Sequence, residues 1–457
     1  MENASEIIHK RTITHLLLLV AGIAALQVFL HRYVAARPPM QNVQWWQTLA
    51  GVFAKHGFFH VWTPYPPVFP SIFYFVHSIA PASAIQPVWM ACNAMLLLAQ
   101  AALIFALVRE TQNDRLRATH SGLLAAVAFL AVMMAPRSLV LLGPWMDQFD
   151  YLPACILLGA LLLLVRGKHT ASAVLCGIGI MTKLFPAVLI PVAFVTLGWK
   201  RGLAYAGVAA AVCVAIAAPF LIADADTFLS TPRWSAARIP WESTWAWMSP
   251  GRGTRYPVAN LPDIPAPQVI EQHFVLAWPA ECDLDTPPNV VHMHLLTTGL
   301  TAAFTLVAAF FLARRRRRDP VYDPHANARS ACRMALLFLL ILLVFSKGFS
   351  SYFLVWAAPL ICVAYPGAPG FALCGVLVVL GNTQLLGLLG ESLNIAIARS
   401  KVEGGDIRNL ADYLNFCTRL GSPYVLFWRS IWVRWLALIA IAGFQLYGLL
   451  ARSETTE

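Results

Sequence analysis

Apolar segments long enough to enter a bilayer recur from residue 13 to residue 450, separated by short polar or basic connections. Read in order, they predict helical spans at 13–33, 67–81, 85–108, 119–135, 150–166, 171–185, 187–199, 202–222, 292–312, 331–346, 351–365, 369–392 and 426–450. A segment in hydrocarbon must satisfy its own backbone N–H and C=O groups, and runs this long and uniform exceed barrel strands, so the spans are helices. The expected fold is an all-α polytopic membrane protein, a single transmembrane domain over 1–457. Several spans are shorter than a full crossing, which leaves about 12 or 13 crossings.

Lys10 and Arg11 precede the first span, whose apolar stretch is too long for a typical signal peptide. It is therefore expected to stay as an anchor with its N-terminus inside. Short connections carrying Arg109, Arg115 and Arg117, then Arg166 and Lys168, then Lys200 and Arg201, then the block Arg314 to Arg318, should face the cytoplasm by the positive-inside rule. That arrangement requires either that 67–81 is not a simple full crossing or that a later short pair is re-entrant. Both options place 32–66, 223–291 and 393–425 outside. In the first of these, Trp45, Leu49, Val52 and Phe53 recur at helical spacing, the pattern of a helix lying in the interface.

Composition agrees with lipid as the main solvent: 59% of residues are hydrophobic and 12% charged, about half the charged fraction of a soluble domain. The net charge of +11 comes from basic residues at the ends of apolar runs, which argues for membrane anchoring and against nucleic acid. Most of the nine cysteines fall inside spans and none shows metal-type spacing. Cys282 and Cys417, both in polar outer loops, are candidates for a disulfide. His292 and His294 lack matching acidic or cysteine ligands, so neither a metal nor a cofactor is expected.

Polar groups that interrupt the apolar pattern are the functional candidates. Asp147, Gln148 and Asp150 lie between two spans, where a carboxylate is costly unless it is paired, caps a helix or faces a watery cavity. Lys183, in Thr182-Lys183-Leu-Phe-Pro186, is far from any basic loop. At that depth it must either pair with a carboxylate such as Asp147 or Asp150, or hold a ligand phosphate. The outer segment 223–291 adds Trp and Pro with interspersed charges, suited to stacking on sugar rings or to packing on headgroups.

Taken in order, Tyr65-Pro-Pro67 closing the first outer loop, Gln148-Phe-Asp150, Lys183-Leu-Phe-Pro186, Arg238-Ile-Pro-Trp241-Glu242-Ser243-Thr-Trp245 and Phe345-Ser-Lys347 through Tyr352 to Pro359 resemble one family. The chain is similar to GT-C fold glycosyltransferases that use polyprenyl-phosphate sugars, in particular bacterial polyprenyl-phosphate-mannose mannosyltransferases, from about residue 40 to 360. The resemblance implies transfer of mannose or another hexose, or a pentose, from a polyprenyl-phosphate donor to a lipid or glycan hydroxyl on the extracytoplasmic side, with inversion. It implies that Lys183, Arg238 and Lys347 stabilise the leaving phosphate, with Tyr65, Gln148, Trp241, Trp245 and Tyr352 about the substrates.

The acceptor hydroxyl needs a general base, which the family usually places as Asp or Glu in the first outer loop. This chain has no Asp or Glu between Glu6 and Glu110, and offers Gln41, Asn42 and Gln44 instead. Either the base is elsewhere, with Asp150 and His60 leading and Asp147, Glu242 and His56 eligible, or the chemistry differs, or catalysis is lost. A lipid-linked-sugar flippase or transporter is the alternative; it is disfavoured because no internal repeat is visible and the polar residues gather at one membrane face rather than mid-depth.

Overall fold

The computed structural model describes residues 41–61, 63, 65–134, 150–237, 243–245, 288–318, 323–348, 353–377 and 423–451. Among them every regular element is helical. The helices are α1 (Gln41–His56), α2 (Val68–Ile79), α3 (Ala82–Glu110), α4 (Arg115–Met134), α5 (Tyr151–Val165), α6 (His169–Ile180), α7 (Leu189–Leu197), α8 (Trp199–Ala237), α9 (Pro288–Arg318), α10 (Pro324–Phe345), α11 (Leu354–Ala364), α12 (Ala368–Leu377) and α13 (Pro423–Ala451). Among the described residues, five segments are long and apolar enough to cross a membrane: Pro87–Glu110, Trp199–Pro232, His292–Arg318, Pro324–Phe345 and Arg429–Ala451. The chain is an all-helical, polytopic membrane protein. The span expected at 13–33, the loop expected at 393–425, and Cys282 and Cys417 lie outside the described residues.

Basic residues of several helices meet at one face. Arg166, following α5, donates to Glu110 Oε1 at the end of α3 at 2.8 Å. Arg329 of α10 donates to the Thr111 carbonyl at 2.8 Å, and Arg315 of α9 to the Leu449 carbonyl of α13 at 2.5 Å. From this face α5 leads back to Asp150, α6 forward to Lys183, α8 forward to Asp224 and α10 forward to Lys347. Those four side chains therefore belong to the opposite end of the bundle. The 15 residues of α5 and 12 of α6 rise about 22 and 18 Å, less than the roughly 30 Å of a hydrocarbon core. Asp150 and Lys183 consequently sit in a recess.

Helix α3 has 29 residues and rises about 43 Å, so its start lies at the end of the bundle remote from Glu110. There Ile85 and Trp89 pack with Leu49 and Phe53 of α1 and Phe69 and Phe73 of α2 in a core of their own. Helix α2 thus joins two points at the same end of the bundle, the first of the two arrangements that the basic connections allowed.

Close helix contacts depend on glycine. A Cβ on Gly177 would stand 2.6 Å from the Ala209 carbonyl oxygen of α8, and one on Gly179 would stand 2.9 Å from Pro186 Cβ. Helix α8 breaks once, at Asp224 (φ −161°, ψ 90°). The Asp224 carboxylate accepts from the Thr227 N–H at 3.0 Å and the Thr227 hydroxyl at 2.8 Å, the arrangement of an N-cap that satisfies a donor left over at a helix start. The large loop expected from residue 223 therefore begins with a break one residue on, after which the backbone stays helical to Ala237.

Candidate active site

Asp150 occupies the N-cap position of α5, yet its carboxylate makes no capping bond. Instead Oδ1 accepts from Lys183 Nζ at 2.5 Å and from Trp356 Nε1 at 2.8 Å. The pair is secluded, with side chains 17% exposed for Lys183 and 3% for Asp150. Of the two ways in which a lysine at this depth is tolerated, the structure shows the carboxylate partner. Both of these hydrogen bonds fall on one carboxylate oxygen, so Asp150 is engaged by Lys183 and Trp356 together.

Aromatic rings enclose the ammonium group. Nζ lies 4.8 Å from the Trp356 ring centroid, 5.0 Å from Phe353 and 5.8 Å from Tyr65, within cation–π range. Trp356 is itself sandwiched between Phe185 at 4.2 Å and Phe353 at 4.0 Å. The approach from the first loop is tied down where the Val68 N–H donates to the Met181 carbonyl at 3.1 Å. Four stretches far apart in sequence thus meet around one ammonium group: Tyr65-Pro-Pro67, Asp150, Lys183-Leu-Phe-Pro186 and Phe353–Trp356.

Lys347 lies nearby along the chain, directly after α10. It is buried, and its Nζ donates to the Ser235 carbonyl at 2.8 Å. Ser243 donates its hydroxyl to the Lys347 carbonyl at 2.6 Å, which fastens the Trp-Glu-Ser stretch to the Ser-Lys-Gly stretch. Trp245 is half-buried, and its Nε1 has no hydrogen-bond partner among the described residues. Asp147, Gln148, Arg238, Trp241, Glu242 and Tyr352 lie outside the described residues.

His60 sits on the 3₁₀ turn Phe58–His60 that follows α1. Gly57, at φ 86°, supplies the positive torsion that ends α1 and turns the chain. His60 Nδ1 then faces Asp224 Oδ2 at 3.5 Å, with both groups open to solvent. Further along, Thr231 of α8 donates to the Thr63 carbonyl at 2.6 Å. Asp224, Thr231 and Ser235 recur at helical spacing, so one face of the capped segment runs from His60 past the first loop to Lys347.

Three participants went unnamed as site residues in the sequence reading: Trp356, Phe353 and Asp224. Trp356 and Phe353 were inside a recognised stretch, and only the ring geometry shows what they enclose. The Asp224-Ala-Asp-Thr227 run is a legible cap signal, obscured by the expectation that a loop starts there. Arg434 of α13, also unflagged, is 2% exposed and lines a small cavity with Ser243, Thr244 and Ser346.

An all-helical membrane bundle with a recessed, aromatic-walled ion pair defines a polytopic membrane protein with a polar site at one end. The chain belongs to glycosyltransferase family 87, whose family model it matches over residues 62–346. It is therefore a membrane glycosyltransferase, with a sugar donor and an acceptor as its substrates. Neither the curated proteins nor the solved structures contain a significant match. The matched region spans every residue of the Lys183 cage except Phe353 and Trp356, and stops just short of Lys347.

Proposed function

We propose that the protein is a GT-C type glycosyltransferase that moves mannose or another hexose from a polyprenyl-phosphate donor to a lipid or glycan hydroxyl, with inversion, on the extracytoplasmic side. The observation that carries this reading is the Lys183–Asp150 pair in its ring of Tyr65, Phe353 and Trp356. A lipid phosphate leaves as a stable anion and needs a fixed positive charge and hydrogen bonds, not a proton donor. Lys183, oriented by Asp150 and partly screened from water, supplies the charge, and the aromatic walls suit a prenyl chain and an apolar sugar face. Lys347 and Arg238 are assigned to the same phosphate, and Gln148, Trp241, Trp245 and Tyr352 to the sugars, on the resemblance. The site's end of the bundle is assigned to the outer side because the opposite end carries the basic residues.

The test separates loss of function from loss of fold. Lys183→Met alone leaves a buried carboxylate unpaired, at a cost of about 3–5 kcal/mol. Lys183→Met with Asp150→Asn removes both charges and should regain most of that stability in detergent while transferring no labelled sugar from a polyprenyl-phosphate donor. A stable double variant with wild-type transfer would remove the pair from the donor site.

A further inference from the structure

We propose that His60 and Asp224 form the base that activates the acceptor hydroxyl, with Asp224 supplying from α8 the carboxylate that the first outer loop lacks. The inference rests on the glycosyl-transfer reading above and names the residue that accepts the acceptor's proton.

An attacking hydroxyl needs a proton acceptor within hydrogen-bond reach. Among the described carboxylates at the site's end of the bundle, Asp150 is taken up by Lys183 and Trp356. His60 and Asp224 differ in every respect that matters. Their side chains are 54% and 30% exposed, so an acceptor can reach them. His60 Nδ1 points at Asp224 Oδ2, which leaves Nε2 to take a proton while the carboxylate stabilises the imidazolium that results.

The pair is held from both sides. Asp224 is fixed by its two bonds from Thr227 at the break in α8. The turn bearing His60 is clamped where Phe58 stacks on Tyr74 at 5.2 Å and where Phe58 and Phe59 meet Phe220 at 5.5 and 5.0 Å. Phe220 is four residues before Asp224 on the same helix. His60 and Tyr65 are five residues apart, so their Cα atoms lie within about 18 Å, a distance that a phosphate, a hexose and an acceptor hydroxyl can bridge. The titratable and charged groups on the packed elements are Lys55 and His56 of α1, Tyr74 and His77 of α2, and Tyr205, Cys213, Asp224, Asp226 and Arg233 of α8. Lys200 and Arg201 sit at the far end of α8.

In the reaction the acceptor oxygen forms a bond to the anomeric carbon as its proton passes to His60 Nε2. The bond from that carbon to the phosphate oxygen breaks, and its electron pair leaves on the polyprenyl phosphate. The imidazolium then releases its proton to water.

The experiment measures transfer from a polyprenyl-phosphate mannose donor in detergent by wild type, His60→Ala and Asp224→Asn, alongside binding of the labelled donor. Asn Oδ1 can still accept the Thr227 N–H, so Asp224→Asn keeps the backbone cap bond at the break in α8. His60→Ala is expected to lower kcat about 100-fold or more, retain donor binding, lose the acid limb of the kcat/KM profile, and regain rate on addition of imidazole. Asp224→Asn is expected to lower kcat about 10-fold while donor binding is retained, because the carboxylate no longer orients the imidazole through Nδ1. Wild-type turnover in either variant, or a loss in His60→Ala with no change in pH profile and no rescue by imidazole, overturns the dyad alone. Wild-type enzyme that transfers nothing from any polyprenyl-phosphate sugar overturns the donor reading and the dyad with it.

Discussion

Trp356 does two jobs with one side chain: its indole N–H donates to Asp150, and its ring centroid lies 4.8 Å from Lys183 Nζ. Trp356→Phe keeps an aromatic face between Phe185 and Phe353 but deletes the donor, leaving a buried carboxylate with one bond fewer. A hydrogen bond to a charged group contributes about 1.5–3 kcal/mol. We expect thermal unfolding in detergent to show a loss of that size, accompanied by a fall in kcat because Asp150 no longer orients Lys183 as firmly. An unchanged unfolding midpoint would show that the Trp356–Asp150 bond contributes little. The need of Lys183 for an anion was legible from the sequence, since a cation deep in an apolar run cannot stand alone. Which anion answers it was not, because Asp150 lies 33 residues away and equal arguments applied to Asp147 and to a phosphate. His60 was legible as one of the two leading candidates for the base, and the carboxylate that faces it is 164 residues distant.

At the scale of elements, the site is placed by short helices that pack closely. Helix α6 delivers Lys183, and its glycines set how near it lies to α8 and to the Phe185–Val188 turn. Gly177→Ala would drive a methyl group into the Ala209 carbonyl and Val212, which forces α6 and α8 apart. Overpacking of this kind costs about 1–3 kcal/mol, and here it also displaces Lys183 from its rings. Gly207→Ala, on α8 with nothing within 4 Å of the added carbon, is the control. Lower stability and transfer in the first variant with little change in the second is the expected pair of results; equal behaviour would show that the α6–α8 contact adapts. The hydrophobic pattern foretold these helices to within a few residues, because apolar periodicity and proline breaks are local. It ended the span at 222, two residues before the break at Asp224, but not the helix that resumes after it, since an acidic Pro-containing stretch reads as a loop until the cap bonds are seen.

The whole molecule is polarised. Arg166, Arg329 and Arg315 anchor helix ends at one face, while Asp150, Lys183, Asp224 and Lys347 belong to the other. A bilayer converts that polarity into orientation, because positively charged connections are retained in the cytoplasm. On the proposed reading the site then opens outward. Phe59 is exposed beside His60 and Lys168 is exposed in the turn between α5 and α6, so the two residues report on opposite ends of the bundle. In a chain with Cys282 and Cys417 changed to serine, Phe59→Cys should react with a membrane-impermeant maleimide in sealed right-side-out vesicles. Lys168→Cys should react only after the vesicles are opened. The remaining described cysteines are buried or half-buried, which keeps background labelling low. The reverse pattern would turn the site toward the cytosol, where nucleotide sugars are the available donors, and would remove the main reason for assigning a lipid-linked one.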